Sequence, residues 1–199
     1  MAALGYFDRM RDTVGGVQVS DAAGAPVDLD SAIGRLVGRF AALPAAGAKA
    51  VIVGNGGSAA IASHFATDFS KNGKVPTLAF SDAALLTCIS NDLGYENVYA
   101  RPIELFGKPG DLLLAISSSG SSANILTAAR AARDGGIEVV TMSGFRPDNP
   151  LRSMGALNFY IDSDSYGFVE CSHFMLCHLA IDLLTGAWPE HGDRDSETA

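Results

Sequence analysis

The chain has 199 residues, 48% of them hydrophobic and 18% charged, with a formal net charge of −8. That length suits one domain with a sizeable core, and the acidic balance argues against nucleic acid as the main partner. No apolar window of about 20 residues is read as a membrane span, and the N-terminus lacks a signal-peptide apolar run, so a cytoplasmic protein is expected. The hydrophobic share is high for a monomer of this size, and a large subunit interface would account for it.

Residues 1–30 hold a short helix and then the polar stretch VSDAAGAPVDLD. Asp30 or Ser31 is placed to cap a helix over SAIGRLVGRFAALPAAG, which ends before Pro44. From Ala50 onward, short apolar runs alternate with helical segments. AVIVG, TLAF, DLLLAIS, IEVVTMSG and LNFYIDS read as strands. Helices are predicted over 58–72, over SDAALLTCISNDL with Ser81 or Asp82 as cap, and around Pro102. A further helix, SSANILTAARAARDGG, is closed by Gly135 or Gly136, and a long apolar helix covers 166–186. The cysteines Cys88, Cys171 and Cys177 lie in apolar segments without CxxC spacing and read as buried reduced thiols.

Continuous apolar strands alternating with helices predict a doubly wound parallel α/β sheet covered on both faces. One domain is expected over 31–186, between an N-terminal extension (1–30) and a polar C-terminal tail (187–199). In such a sheet, ligands sit beyond the carboxyl ends of the strands. Two loops there are unusual: GNGGS, Gly54 to Ser58, and SSSGSS, Ser117 to Ser122. Each joins a strand to a helix. Glycines allow close approach of backbone N–H groups to an anion, and serine hydroxyls add donors. Neither loop has dinucleotide or P-loop spacing, and no P-loop lysine is present, so a phosphorylated small molecule is favoured over a nucleoside triphosphate.

The run GNGGS…HFA, followed by SDAALLTCISND, GDLLLAISSSGSSANI and a C-terminal helix bearing a histidine, resembles the sugar isomerase (SIS) domain. Within it, the pattern is most similar to phosphoheptose isomerases. The resemblance covers about residues 30–186. It implies that Ser117, Ser118, Ser119 and Ser122 hold a sugar phosphate, that Asn55, Gly56, Gly57 and Ser58 meet it from the first loop, and that Asp92 meets sugar hydroxyls. Asp92 also reads as a helix-end turn residue.

His64 and Asp68 are four residues apart and share a helix face. Glu170 and His178 lie two turns apart on the last helix. Two histidines and two carboxylates suit zinc. At the matching positions, phosphoheptose isomerases carry His, Glu, Gln and His, which bind zinc in some members and supply the acid and base. The resemblance thus implies Asp68 as base, His178 as partner acid/base, and a zinc site of His64, Asp68, Glu170 and His178. Two departures stand out: a shorter Asp68 for the family's glutamate, and Glu170 for its glutamine. His173 faces away from His178 and reads as a core histidine.

The implied activity is isomerisation of sedoheptulose 7-phosphate to an aldose phosphate through an enediol. The implied assembly is a homotetramer with sites between subunits and terminal helices packed in a bundle. Rival readings are an isomerase of another ketose phosphate, a non-catalytic SIS module that binds a replication initiator protein, and a sugar-phosphate-sensing domain. The module's branch loses the final-helix histidine, which is present here as His178, and the sensing domain would need a DNA-binding partner domain.

Overall fold

The computed structural model describes residues 2–188. Helices α1 (Ala2–Gly15), α2 (Leu29–Ala42), α3 (Gly57–Lys71), α4 (Ala83–Leu93), α5 (Ala100–Phe106), α6 (Ala123–Asp134) and α7 (Tyr166–Thr185) surround one sheet. Its strands are β1 (Gln18–Asp21), β2 (Pro26–Val27), β3 (Ala50–Val53), β4 (Thr77–Ala79), β5 (Leu112–Ser117), β6 (Glu138–Gly144) and β7 (Leu157–Ile161). The spatial order is β2-β1-β7-β6-β5-β3-β4. The five strands from β3 to β7 run parallel, in registers such as Ile52 opposite Leu114 and Met142 opposite Phe159.

Every residue of β3, β5 and β7 is buried, because helices cover both faces. Alternation of side chains divides the core in two. Ile52, Leu114 and Phe159 face α2, α3 and α7, where Phe40 and Phe69 stack at 4.0 Å. Val51, Val53 and Leu113 face α6 and the segment around Tyr99. Each such fully buried Leu, Ile or Val contributes roughly 1.5–3 kcal/mol, so these layers fix the strand ends from which the loops emerge.

The parallel core is as the sequence predicts; the N-terminal part is not. The polar stretch expected outside the domain forms the β1–β2 hairpin, which pairs antiparallel to β7. Asp21 makes the turn: its Oδ1 accepts the N–H groups of Ala23 and Ala25 at 2.9 Å, and Gly24 supplies φ +81°. Only Val19 enters the core from β1, so the period-two signal was too short to recognise. The cap of α2 is Asp28, whose side chain accepts from the Ser31 N–H, rather than Asp30 or Ser31. Asp82 caps α4, Gly135 closes α6, and Gly186 ends α7 at φ +73°.

Of the cysteines, Cys177 alone is buried, and burial pushes its thiol up to about 12. Cys88 and Cys171 are exposed, because α4 buries only Ile89 and Cys171 faces an open cleft beside α7. Helix α7 is long and apolar enough to cross a membrane by length and composition, contrary to the sequence reading. Its Phe168, Val169, Leu176, Cys177, Ala180 and Ile181 are instead buried against the sheet and neighbouring helices. Most of the expected polar tail lies outside the described residues.

Candidate active site

Capping divides the helices into two kinds. Helices α2 and α4 begin with an aspartate that accepts a first-turn N–H. Helices α3 and α6 begin with Gly56 and Ser122 and have no side-chain cap bond. Their first N–H groups stay open to a ligand, and the helix dipoles favour an anion there. Both N-termini follow adjacent strands, β3 and β5, so the two loops converge.

They enclose a cavity of about 230 Å³ lined by Asn55, Gly56, Gly57, Ser58, Ser117, Ser118, Ser119 and Ser122, together with Tyr166 and Glu170. Every expected phosphate-loop residue is therefore in one place. The loop geometry depends on glycine. Gly56 has φ +53°, and a Cβ on Gly54 would fall 2.6 Å from the backbone of Ser58. Gly120 has φ +62°, and a Cβ there would collide with Asn149 Oδ1.

The serines form a partial network. Ser117 Oγ donates to Ser122 Oγ at 3.2 Å, and Ser119 Oγ accepts from the Ser121 N–H and hydroxyl. Ser118 Oγ is buried with no partner among the described residues. An unsatisfied hydroxyl on a cavity wall is costly unless a ligand oxygen completes it. No lysine or arginine lines the cavity. The donors that an anion would meet there are neutral N–H and O–H groups.

Several supporting residues escaped the sequence reading. Asn55 and Asn124 exchange two side-chain amide bonds at 2.8 Å, and Tyr95 donates to Asn55 Oδ1 at 3.2 Å. Tyr99 donates to the Gly54 carbonyl at 2.5 Å; burial, then neighbouring Tyr95, raises its phenol to about 12, so it stays protonated. Phe145 sits in the left-handed region at φ +62°, held by the Ser163 carbonyl and the Tyr160 hydroxyl, and packs edge-on against Tyr166 at 4.8 Å. These pairs join residues tens of positions apart and leave no local signature, although Asn124 lies inside the quoted SSANI.

A second cleft, about 410 Å³ and mostly apolar, adjoins the first. It is lined by Gly57, Ala60, Ile61, His64, Glu170, Cys171 and Phe174, so Gly57 and Glu170 belong to both. His64 Nε2 lies 3.3 Å from Asp68 Oδ2, as the four-residue spacing predicts. The His64 and His178 rings are 5.6 Å apart, with His178 packed on Phe65 and Phe174. Asp68 and His178 line neither cavity. Asp92 is exposed at the end of α4, accepts from Asn91 and Cys88, and also lines neither.

The donor types of His64, Asp68, Glu170 and His178 suit zinc. Among the described residues, however, no three His, Cys, Asp or Glu side chains converge closely enough to hold a metal ion. The expected set therefore does not form a chelate within the chain. His173 is fully buried, and burial lowers it to about 4 although its Nε2 meets the Ser143 carbonyl at 3.2 Å. It is a neutral core histidine, as read from the sequence.

Two glycine- and serine-rich turns at adjacent strand ends of a parallel sheet thus enclose one cavity with open helix N-termini. The family model described as the SIS domain matches residues 25–144, and the chain belongs to that family. Similar curated relatives include phosphoheptose isomerases. That of Proteus mirabilis is 37% identical over 147 residues, covering 70% of this chain and 75% of its own. That of Roseiflexus sp. is 46% identical over 104 residues, 49% of this chain and 53% of its own. A solved phosphoheptose isomerase from Francisella tularensis has TM-score 0.78 at 26% identity, over 93% of this chain and 97% of its own. One from Neisseria gonorrhoeae shares the fold, with TM-score 0.79 at 24% identity over 92% and 96% of the two chains.

Proposed function

We propose that the protein is a phosphosugar isomerase that converts sedoheptulose 7-phosphate to D-glycero-D-manno-heptose 7-phosphate. The observation that carries this is the convergence of two uncapped helix N-termini and five serines on one cavity beside His64 and Glu170. The relatives named phosphoheptose isomerase support the same substrate class.

The reaction moves a proton between C1 and C2 and exchanges protons at O1 and O2. It needs an anchored phosphate, a base at carbon and a proton carrier at oxygen. The N–H groups of α3 and α6 and the hydroxyls of Ser117, Ser118, Ser119 and Ser122 hold the phosphate. Asn55, held by Asn124 on the cavity wall, meets a sugar hydroxyl in this reading. The acid–base groups are drawn from the carboxylates and imidazoles beside that cavity: Glu170, His64 and the expected pair Asp68 and His178. The chemistry is assigned to these side chains, and elemental analysis of the purified protein tests the zinc expectation.

A cytoplasmic homotetramer with sites between subunits fits the surface. Leu4, Phe7, Leu93, Tyr95, Leu105, Phe106 and Met175 are exposed in the single chain. Incubation with sedoheptulose 7-phosphate in deuterium oxide tests the activity. The expected result is turnover with deuterium at C2 of the aldose product. Tight binding without turnover or exchange, with and without added zinc, would instead leave a non-catalytic SIS module.

A further inference from the structure

Glu170 occupies an unusual place. It is the one carboxylate lining the phosphate cavity, and it also lines the cleft that holds His64. Its carboxylate lies over Gly57, where any Cβ would collide with it, so a glycine at the start of α3 is what admits it. It makes no hydrogen bond or ion pair among the described residues. A half-buried, unpartnered carboxylate beside a phosphate cradle opposes the binding of an anion unless it has another use. Asp68, by contrast, lies 3.3 Å from His64 Nε2, accepts from the Asn72 side chain and lies outside both cavities.

Resting on the isomerase reading, we infer that Glu170 is the base that carries the carbon-bound proton, and that Asp68 positions His64. With the phosphate held by the serine loop, the rest of the sugar extends past Glu170 toward His64, because these residues line the path between the two cavities. Glu170 takes a proton from C1 of the ketose. The C1–H electron pair becomes the C1–C2 double bond, and the carbonyl pair moves to O2. His64 gives a proton to O2, forming the enediol. The protonated Glu170 then returns its proton to C2, while O1 loses its proton to His64 and becomes the aldehyde oxygen. Both side chains end as they began, and no oxidant or reductant is required. Asp68 Oδ2 lies 3.3 Å from Nε2 of His64, a charge contact that favours one ring orientation and leaves the other nitrogen for the substrate.

The test uses Glu170→Gln, Glu170→Asp and Asp68→Asn in the full-length protein, each first checked for folding by thermal melting and for sedoheptulose 7-phosphate binding by calorimetry. Glutamine keeps the shape and removes the base. Glu170→Gln is expected to bind the sugar phosphate at least as tightly as wild type, to lose about 10²–10⁴-fold in kcat, and to stop taking deuterium from solvent into C2. Glu170→Asp, which withdraws the carboxylate by about 1 Å or more, should retain slow exchange, with a loss of about 10²-fold. Asp68→Asn should lose less kcat than Glu170→Gln and keep the exchange. Wild-type turnover in Glu170→Gln, or loss of exchange in Asp68→Asn alone, overturns the assignment and leaves the isomerase reading intact. A wild type without turnover on sugar phosphates overturns both.

Discussion

Ser118 offers a test in which two measurements should move in opposite directions. Its Oγ is buried on the wall of the serine-lined cavity and has no hydrogen-bond partner among the described residues. In the ligand-free protein that hydroxyl carries an uncompensated desolvation cost of about 1–3 kcal/mol. Ser118→Ala removes the group with almost no change in volume. The free protein should therefore melt higher, by about 2–4 °C for each kcal/mol relieved at this chain length. Sugar-phosphate binding should weaken, because a hydrogen bond to a charged oxygen is lost, worth about 1.5–3 kcal/mol. That corresponds to about 10- to 150-fold in Kd. Differential scanning calorimetry of the free protein and titration calorimetry with sedoheptulose 7-phosphate give the two numbers. A variant that melts lower and binds unchanged would refute the claim that the orphaned hydroxyl is kept for the ligand.

Gly120→Ala forces a side chain into the left-handed region and against Asn149, which itself bonds Ser143, Gly144 and Arg146; a loss above about 2 kcal/mol in urea unfolding is expected. His173 is lowered from 6.5 to about 4 by burial, so the unfolded chain takes up the proton first as pH falls. Its neutral form supports the fold fully above pH 6.5, and that support is lost progressively down to about pH 4, on the order of 3 kcal/mol in all. Urea titrations across this window should show the decline, and a flat profile in which His173→Gln matches wild type would contradict it. Light scattering should report a tetramer at micromolar concentration; a monomer would contradict the assembly drawn from the exposed Phe7, Phe106 and Met175.

The sequence by itself determined the parallel core and the two ligand loops, because both are written in contiguous residues. AVIV and LLLAIS are buried on both faces and carry no polar alternation, and GNGGS and SSSGSS follow them directly. A four-residue interval was enough to pair His64 with Asp68. What the chain could not disclose locally was decided by packing. The β1–β2 hairpin gains its strand character from β7, far along the chain, not from its own polar residues. The Asn55–Asn124 and Tyr99–Gly54 bonds exist only because β3, β5 and the Tyr99 segment meet. The position of Glu170 is the clearest case. Its place on an apolar helix signalled a carboxylate in need of a partner, and the packing of α7 on the start of α3 puts that carboxylate on Gly57, between the serine-lined cavity and His64. Side-chain identity is a local property, whereas the cavity a side chain faces depends on how two helices and a sheet pack, and no window of sequence contains that relation.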